Sequence, residues 1–412
     1  MIAAFAKAPA HWRAIALRRT VSSCTNGTWG EEPHGGSADL VCVRVADFDR
    51  RRLRVDLANP TLRFVPPAYR RGRILEPGDL LLEKSGGGGG HPVGAVVLYD
   101  GGPPAVCSNF IARLAVAPGF HSGYLCYLHA ALYRIGINCR SISQTTGIQN
   151  LDSKSYLEEV VRIPDCVEQR GIAARLDGKT ARVDRLVDVK YRLLHLLRER
   201  REALITQTMN AAAGHSEITP FKFIRSGALL YGANQPADST SAEDPRYIRI
   251  TDLNDDGSLR EDTFHSLPDN LAAAYLLQDG DLLLARSGAT VGKAFRYRRE
   301  WGRACFAGYL IRLRPDRRKI LPDYLHYFTQ SRAYWDQVKL HTLQSIIANV
   351  SAERYGNFLV PLPSLKQQQA TVDFLHGAVK NVQRLLDITE RQISLLHEYR
   401  ATLIVDAVTK GL

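Results

Sequence analysis

The sequence predicts an α+β fold in which two globular domains, each a mixed β-sheet with helices, are joined by two long antiparallel coiled-coil helices. Three observations predict this pseudo-two-fold arrangement. The chain has 412 residues, more than the ~100–200 residues of one domain. It contains an internal repeat with a period of roughly 200 residues. Each copy ends in about 45 proline-free residues whose apolar side chains recur at helical spacing.

Matching motifs in the same order make up the repeat. The Gly-Asp-Leu-Leu-Leu run of residues 78–82 recurs at residues 280–284, and each run continues to a Ser-Gly pair. Residues 176–205 and 375–404 are identical at 13 of 30 positions, with a constant offset of 199 and no gap. Chance does not explain this similarity, so we expect the two halves to share one architecture.

The domain boundaries follow from the points at which each copy changes character. We place a globular domain at residues 1–164, a central spacer helix at 165–212, a second globular domain at 213–363 and a C-terminal spacer helix at 364–412. The globular parts are rich in Gly, Pro and Tyr, and their short apolar runs end in turn residues. This pattern is typical of strands and loops with a few helices.

Both spacer segments have a heptad seam of apolar residues. The seam residues are Leu176, Val183, Val187, Leu194, Leu197 and Leu204 in the first and Leu375, Val382, Leu386, Ile393, Leu396 and Leu403 in the second. A single stripe of this kind is also typical of a helix packed on its own domain. Helices of ~65 Å, at 1.5 Å per residue, outreach such a domain, so we expect the two seams to pack on each other.

The short link after the first helix sets the direction of the second. About eight residues separate the first helix from the second globular domain, and they span at most ~28 Å. The second helix therefore starts where the first one ends and runs back. We expect antiparallel helices with one globular domain at each end.

Composition excludes several classes of protein. The chain is 45% hydrophobic and 23% charged, as is typical of a globular protein. Its longest apolar run, residues 271–277, is too short to cross a bilayer, and Lys7 and His11 interrupt the N-terminal apolar patch too early for a signal peptide. We therefore expect a cytoplasmic protein without a membrane association. The seven cysteines are scattered and lack C-x-x-C spacing, which disfavours disulfides and zinc.

The sequence offers no catalytic constellation and no metal site. Residues 288–294 resemble a phosphate loop, but the run is one residue short and ends in Ala where Ser or Thr is required. Neither an H-E-x-x-H nor a G-x-S-x-G motif occurs, and the signatures of a methyltransferase are missing. We therefore predict a chain that is not an enzyme and has no cofactor of its own.

The charge favours an anionic partner such as nucleic acid. The net charge is +12, of which the first globular domain contributes +6 and the second +2. Arginine-rich clusters lie at residues 50–52, 70–73, 296–299 and 317–319. Clusters of this kind suit phosphate contact, although any one of them could equally be a solvated surface run.

At this point the residues show a family resemblance. Two variable globular halves, each with the Gly-Asp-Leu-Leu-Leu motif and each followed by a long repeat helix, resemble the specificity (S) subunit of type I restriction-modification enzymes. Residues 283–293 and the tail from Pro361 to Gly411 are also similar to that family. The first copy departs from the pattern at residues 87–92 and has Ala95 where the second has Lys293.

The resemblance implies a role in defence against foreign DNA. Each globular domain is then a target recognition domain for one half of a bipartite sequence in double-stranded DNA. The helices are implied to set the spacing and to dock two methyltransferase (M) subunits, and endonuclease/translocase (R) subunits complete the restriction complex. S-adenosylmethionine, ATP and Mg²⁺ belong to those partner subunits.

Ten residues are candidate DNA contacts, because the motif follows a predicted strand and presents polar residues on a Gly-rich loop. They are Arg44, Lys84 and Ser85 in the first domain and Arg249, Arg286, Ser287, Thr290, Lys293, Arg296 and Arg298 in the second. A fold-forming turn is an equally good interpretation of the motif. Arg44 and Arg249 could instead pair with Asp47 and Asp252.

Two other functions remain open at this stage. One is a coiled-coil scaffold or adaptor whose end domains bind proteins. The other is a recognition subunit of a methyltransferase-only or single-chain-nuclease system. The target sequence and its spacer length do not follow from the residues, because recognition loops obey no transferable residue code.

Overall fold

The computed structural model describes residues 2–36, 38–87, 91–145, 147–214, 216–254, 257–342 and 349–411. The chain divides into two compact units. Unit 1 comprises Met1–Tyr191 and Arg391–Leu412, and unit 2 comprises Arg192–Glu390. Each unit therefore contains one globular domain and a part of each long helix.

Unit 1 builds its globular domain from short strands and three short helices ahead of the first long helix. Its strands are β1 (Arg13–Ala16), β2 (Val21–Asn26), β3 (Asp39–Val43), β4 (Phe48–Asp49), β5 (Arg54–Val55), β6 (Leu62–Phe64), β7 (Leu80–Glu83), β8 (Ser85–Gly86), β9 (Val96–Leu98), β10 (Ala105–Cys107), β11 (Ile111–Val116), β12 (Ile142–Thr145), β13 (Ile148–Leu151) and β14 (Val160–Ile163). Its helices are α1 (Pro67–Arg70), α2 (Ser122–Arg134) and α3 (Ser153–Leu157), and the long helix is α4 (Cys166–Ala213).

Unit 2 repeats this plan with fewer strands. Its strands are β15 (Glu217–Pro220), β16 (Leu230–Tyr231), β17 (Arg246–Ile248), β18 (Leu282–Ala285), β19 (Ala294–Arg296), β20 (Ala304–Phe306), β21 (Leu310–Leu313) and β22 (Leu359–Leu362). Its helices are α5 (Asp269–Ala272), α6 (Pro322–Phe328), α7 (Arg332–Thr342) and α8 (Ala352–Gly356), followed by the long helix α9 (Leu365–Lys410).

The two units share one sheet topology. The main sheet of unit 1 has the strand order β2-β11-β7-β9-β5-β4, and that of unit 2 has the order β16-β21-β18-β19. The first four strands of unit 1 correspond to these four in order and in antiparallel register. A parallel pair recurs as well, β10 with β3 and β20 with β17. The predicted α+β fold with an internal repeat is confirmed.

The repeated Leu-Leu-Leu run forms the strands β7 and β18, which we call the motif strands. Every residue of both strands is buried. Leu80 and Leu82 pack into one core cluster and Leu81 into another. In unit 2, Leu282 and Leu284 are separated from Leu283 in the same way. A strand covered on both faces needs apolar residues at consecutive positions, which explains the uninterrupted run.

The Gly-Asp pair before each motif strand is a turn closed by a buried charge. Gly78 and Gly280 have φ angles of 98° and 89°, a conformation that favours glycine. The Asp79 carboxylate accepts a hydrogen bond from Arg113 Nε at 2.5 Å. The Asp281 carboxylate accepts one from Arg314 Nε at 2.7 Å. Each aspartate therefore joins the turn to a cation from the adjacent strand or its end.

A buried glutamine in the first turn fixes each long helix to its globular domain. The Gln169 side chain accepts from His121 N–H at 2.9 Å, and the Gln368 side chain accepts from Leu321 N–H at 2.8 Å. Both glutamines are fully buried. Ser364 and Gln367 form a capping box at the start of α9. Their side chains accept hydrogen bonds from backbone N–H groups that have no acceptor within the helix.

The pH dependence of stability in unit 1 depends on a buried histidine. His129 of α2 is fully buried and its Nδ1 lies 2.8 Å from the Tyr156 hydroxyl. Burial lowers the pKa of His129 from 6.5 to about 4. Between these values the unfolded chain binds a proton that the folded chain does not, so stability falls as pH falls through this range.

We expect His129→Gln to reduce the loss of stability between pH 6.5 and pH 4 by about 3 kcal/mol, since the titrating group is gone. Denaturant unfolding at several pH values measures this. Tyr156→Phe is the control, because it removes the hydroxyl and leaves the imidazole buried, so it keeps the pH dependence. An unchanged slope in His129→Gln would contradict the assignment.

Candidate nucleic-acid interface

In unit 2 the polar half of the motif forms a hairpin loop between β18 and β19. Gly292 N–H donates to the Ala285 carbonyl at 3.0 Å, which closes the loop. Arg286 leaves the motif strand with both backbone groups bonded, its N–H to the Tyr309 carbonyl at 3.0 Å and its carbonyl to Val350 N–H at 2.8 Å. The position of Arg286 is therefore set by the sheet.

Four residues lie together where β18 and β16 end. The Arg286 guanidinium lies 4.9 Å from the centroid of the Tyr231 ring, a cation–π contact. Ser287 forms a β-bridge with Asn349. We call Tyr231, Arg286, Ser287 and Asn349 the unit 2 motif edge. It combines a guanidinium, a hydroxyl and an amide, which are groups that contact phosphates and base edges.

Unit 1 places the matching residues in the same way. Lys84 N–H donates to the Phe110 carbonyl at 2.7 Å, and the Lys84 carbonyl accepts from Leu151 N–H at 2.7 Å. The Ser85 hydroxyl donates to Asn150 Oδ1 at 2.6 Å. We call Lys84, Ser85 and Asn150 the unit 1 motif edge. Residues 88–90, within the segment at which the first copy departs from the second, lie outside the described residues.

Thr290 and Lys293 lie further along the unit 2 loop. Thr290 belongs to a 3₁₀ turn, Gly288–Thr290, and its carbonyl accepts from Lys293 N–H at 3.0 Å. The Lys293 side chain lines a groove together with Arg201 of α4 and Trp335 of α7. The structure therefore directs Lys293 toward α4, whereas Arg286 faces Tyr231.

Arg44 and Arg249 are bound to the aspartates that we named as alternative partners. Arg44 lies 2.7 Å from the Asp47 carboxylate, and Arg249 lies 2.9 Å from that of Asp252. Both aspartates are buried, and the hydrogen bond to Asp47 raises the pKa of Arg44. The equivalent 3₁₀ turns, Val45–Asp47 and Ile250–Asp252, are thus closed by these arginines. Internal pairing is what the structure shows for both.

Arg296 and Arg298 differ in exposure although they are two residues apart. The Arg296 side chain is 13% exposed and lies between Asp279, at 3.7 Å, and Asp323, at 3.3 Å. The Arg298 side chain is half-exposed and lies 4.0 Å from Glu300. Arg296 is the last residue of β19, whereas Arg298 lies beyond the strand, directly before the 3₁₀ turn Arg299–Trp301. Arg296 is therefore engaged within the fold.

The arginine cluster at residues 50–52 forms ion pairs between the globular domain of unit 1 and α4. Arg51 and Arg52 lie 2.9 and 3.2 Å from the Asp188 carboxylate on α4. Arg50 lies 2.8 Å from the buried Glu83. Burial raises the pKa of Glu83 and the nearby Arg50 opposes this. In unit 2, Arg317 and Arg318 are likewise paired, with Asp279 and Asp316. These cations are paired within their own units, so cluster density alone did not locate an interface.

The long helices pack antiparallel within each unit. In unit 1, Asp184 of α4 contacts Arg400 of α9 at 3.1 Å, while Leu176 shares a core with Leu403 and Val408. In unit 2, Arg198 contacts Glu390 at 3.0 Å, and Ile205 and Met209 share a core with Val372 and Leu375. The predicted seam residues are buried, except that Leu204 and Leu396 are half-buried.

An ion pair inside the helix packing was missed by the seam pattern. Asp184 and Arg400 are 8% and 7% exposed. The repeat places Gln383 and Arg201 at the corresponding positions, so only unit 1 has a carboxylate there. The signal was present as a charged residue beside the seam, Asp184, and one at a seam position, Arg400, but nothing in the local pattern pairs residues 216 positions apart.

Each long helix also has an exposed apolar stripe. Most of its residues directly precede a seam residue, and at 3.6 residues per turn this places the stripe about a quarter-turn from the seam. We call these the outer stripes. They comprise Leu186, Val189, Leu193 and Leu196 on α4 and Leu385, Ile388 and Leu395 on α9, each 37–60% exposed. Three of these positions correspond at the repeat offset of 199. Exposed apolar stripes at helical spacing are typical of surfaces that bind another helix.

Two further properties concern the described part of the chain only. It contains no group of three or more His, Cys, Asp or Glu side chains arranged to hold a metal ion. No helix in it is long and apolar enough to cross a membrane.

Comparison with known proteins points to one family. Residues 229–394 match the family model described as the type I restriction modification DNA specificity domain, and this segment contains the unit 2 motif edge. The chain is 21% identical over 321 residues to the type I restriction enzyme EcoBI specificity subunit of Escherichia coli. The match covers 71% of this chain and 65% of that protein, so it spans less than two thirds of the relative.

The fold is also similar to that of a chain in a solved structure that concerns complex assembly and conformational transition of the type I R-M system. The TM-score is 0.72 at 16% identity, and the match covers 98% of this chain and 100% of that one. At this identity the likeness establishes the fold.

The buried pair generates a stability prediction. We expect Arg400→Met to destabilise the chain by about 3–5 kcal/mol, because it leaves Asp184 buried without a partner. The double variant Asp184→Leu/Arg400→Met removes both charges and is expected to cost less. Denaturant unfolding measures both.

Arg198→Met is the matched control, since Arg198 and Glu390 are 61% and 54% exposed. An exposed pair of this kind contributes about 0–1 kcal/mol. Equal losses in Arg400→Met and Arg198→Met would show that burial does not set the strength of the inner pair.

Proposed function

We propose that the chain is a type I restriction-modification specificity subunit that recognises a bipartite sequence in double-stranded DNA, a proposal supported by the match of residues 229–394 to the DNA specificity domain and by the similar fold of a type I R-M chain. Each globular domain would contact one half of the target through its motif edge. The long helices would set the distance between the two halves. The chain itself would supply recognition and no catalysis.

One observation supports the bipartite proposal above the others. The two units build the same backbone geometry around the motif. The amide of Lys84 is bonded to the residue before β11, and the amide of Arg286 is bonded to the residue before β21. They present different side chains on it: Lys84 next to a Ser85 hydroxyl bonded to Asn150 in unit 1, and Arg286 on the Tyr231 ring in unit 2. Matching backbone geometry that carries different side chains suits two half-sites of different sequence.

Affinity and specificity would come from different groups. Phosphate contacts by Lys and Arg side chains give affinity that falls with salt concentration. A bidentate contact between one side chain and a base edge gives ~1–3 kcal/mol of discrimination. Arg286 combines both abilities, because its guanidinium is planar and held on the Tyr231 ring.

Substitution of one motif edge tests the modular proposal. We expect Lys84→Ala to weaken recognition of one half-site, and Arg286→Ala that of the other, each by about tenfold. The measurement is methylation-site mapping with the wild-type chain and an M subunit, followed by binding to duplexes in which one half-site is altered. Arg18→Ala and Arg332→Ala are controls, since both arginines are exposed and lie outside the motif edges.

An equal loss at both half-sites from either variant would contradict the modular proposal. Sequence-independent binding by the wild-type complex would contradict the recognition role itself. Robust nuclease or methyltransferase activity of the purified chain would contradict the proposal that it is not an enzyme.

We further propose that the outer stripes dock two M subunits, one on each long helix. Corresponding apolar positions on α4 and α9 offer two similar sites. R subunits would complete the restriction complex. The chain would hold no cofactor, and S-adenosylmethionine, ATP and Mg²⁺ would act on the partners. We propose the cytoplasm, where its DNA substrate is accessible, as its location.

A charge placed in one outer stripe is expected to remove one M subunit. Leu186→Glu and Leu385→Glu each put a carboxylate into an apolar contact, which we expect to weaken one of two sites by tenfold or more. Light scattering of the purified assembly reports the number of M subunits bound. Val167→Glu is the control, because Val167 is 78% exposed on α4 and lies outside the stripe. Unchanged stoichiometry in both stripe variants would exclude these surfaces.

A further inference from the structure

An exposed aromatic side chain occupies the same repeat position in both units. In unit 1 it is Phe110, directly before β11, and in unit 2 it is Tyr309, directly before β21. Phe110 is 48% exposed and Tyr309 is 66% exposed. The residues that follow them, Ile111 and Leu310, are fully buried. The rings are therefore exposed at the end of a well-packed strand rather than in a loose segment.

The backbone of each aromatic residue is bonded to the motif. The Tyr309 carbonyl accepts from Arg286 N–H at 3.0 Å, and the Phe110 carbonyl accepts from Lys84 N–H at 2.7 Å. In both units the backbone of the aromatic residue is thus joined by one hydrogen bond to the backbone of the motif cation, Lys84 or Arg286.

A close backbone approach fixes the turn from its other side. Gly232 N–H donates to the Leu310 carbonyl at 3.2 Å, and Gly27 N–H donates to the Ile111 carbonyl at 3.0 Å. A Cβ on Gly232 would lie 2.3 Å from the Ala307 carbonyl oxygen, so any larger residue clashes with backbone. Glycine at this position lets the segments approach, and the turn before β21 is held between two neighbours.

An exposed ring whose backbone is bonded to that of a motif cation suits one class of ligand in particular. Apolar ring area left in water is unfavourable until a partner covers it. The motif cations Lys84 and Arg286 favour an anionic partner, and duplex DNA offers both phosphates and apolar surface. Rings contact the thymine methyl group at the base edge, while Arg or Lys contacts the phosphates.

Resting on the proposed function, we propose that Phe110 and Tyr309 are specificity-determining residues whose rings contact bases of the two half-sites, one in each. Phe110 has no hydrogen-bonding group, so the contact common to both units is made by the ring. Such a contact neutralises no phosphate. It therefore adds to discrimination between sequences without adding to the salt dependence of binding.

The test uses the full chain in complex with M subunits and duplexes with either half-site altered. Fluorescence anisotropy at several salt concentrations gives the affinity. We expect Tyr309→Ala to lower affinity for the intact target about tenfold and to abolish discrimination at one half-site only. Phe110→Ala does the same at the other half-site. The slope of log affinity against log salt concentration stays at the wild-type value in both.

Two variants separate the ring contact from other effects. Tyr309→Phe keeps the ring and is expected to bind within twofold of the wild type. Phe223→Ala is the matched control, because Phe223 is 56% exposed and lies near the opposite end of β21. Its neighbour Ile224 accepts a hydrogen bond through its carbonyl from the N–H of Asp316, which follows β21. It is expected to bind as the wild type does.

Distinct results would overturn the inference. Wild-type discrimination by both alanine variants refutes it while leaving the recognition role intact. A smaller salt slope in Tyr309→Ala would show that Tyr309 contacts a phosphate instead. A loss of affinity in Tyr309→Phe would show that the hydroxyl, and not the ring, makes the contact. Loss of M-subunit binding with unchanged DNA affinity assigns the rings to a protein interface. A wild-type complex that shows no sequence preference refutes the proposed function itself.

Discussion

Burial of the motif strand on both faces is the constraint on which each unit depends. β7 and β18 contribute alternate leucines to two separate cores, so both cores require the strand to stay in register with its neighbours. The Asp79 and Asp281 carboxylates close the turn that leads into the strand. The motif's polar residues follow where the strand ends, and for this reason they present the same backbone geometry in both units.

The repeat preserves topology while it changes electrostatics. Asp79 binds Arg113, which faces Leu81 across the sheet, but Asp281 binds Arg314 although Arg312 holds the position equivalent to Arg113. Burial lowers the pKa of Arg312. The helix packing differs similarly, since a carboxylate–guanidinium pair in unit 1 is replaced by glutamine and arginine at the matching positions in unit 2. A backbone geometry that tolerates such exchanges can present two different motif edges.

The sequence predicted most of the architecture and less of the site. Periodicity is a local property, so the long helices, their seams and the repeated motif strands were all visible in it. The partners of Arg51 and Arg296 were not visible, because Asp188 and Asp323 lie far away along the chain. The arginine clusters looked like open cationic surface, and the fold pairs much of that charge internally.

The sequence alone determined that the chain has two copies of one unit, that each copy has a short apolar run predicted as a strand in the Gly-Asp-Leu-Leu-Leu motif, and that each ends in a long amphipathic helix. These properties follow from residue type and spacing along a continuous segment. The tertiary structure decided which cations remain at the motif edges, that Asp184 meets Arg400, and that a ring stands beside each motif. Those outcomes depend on contacts between distant segments, whose energies arise only once the strands and helices have packed.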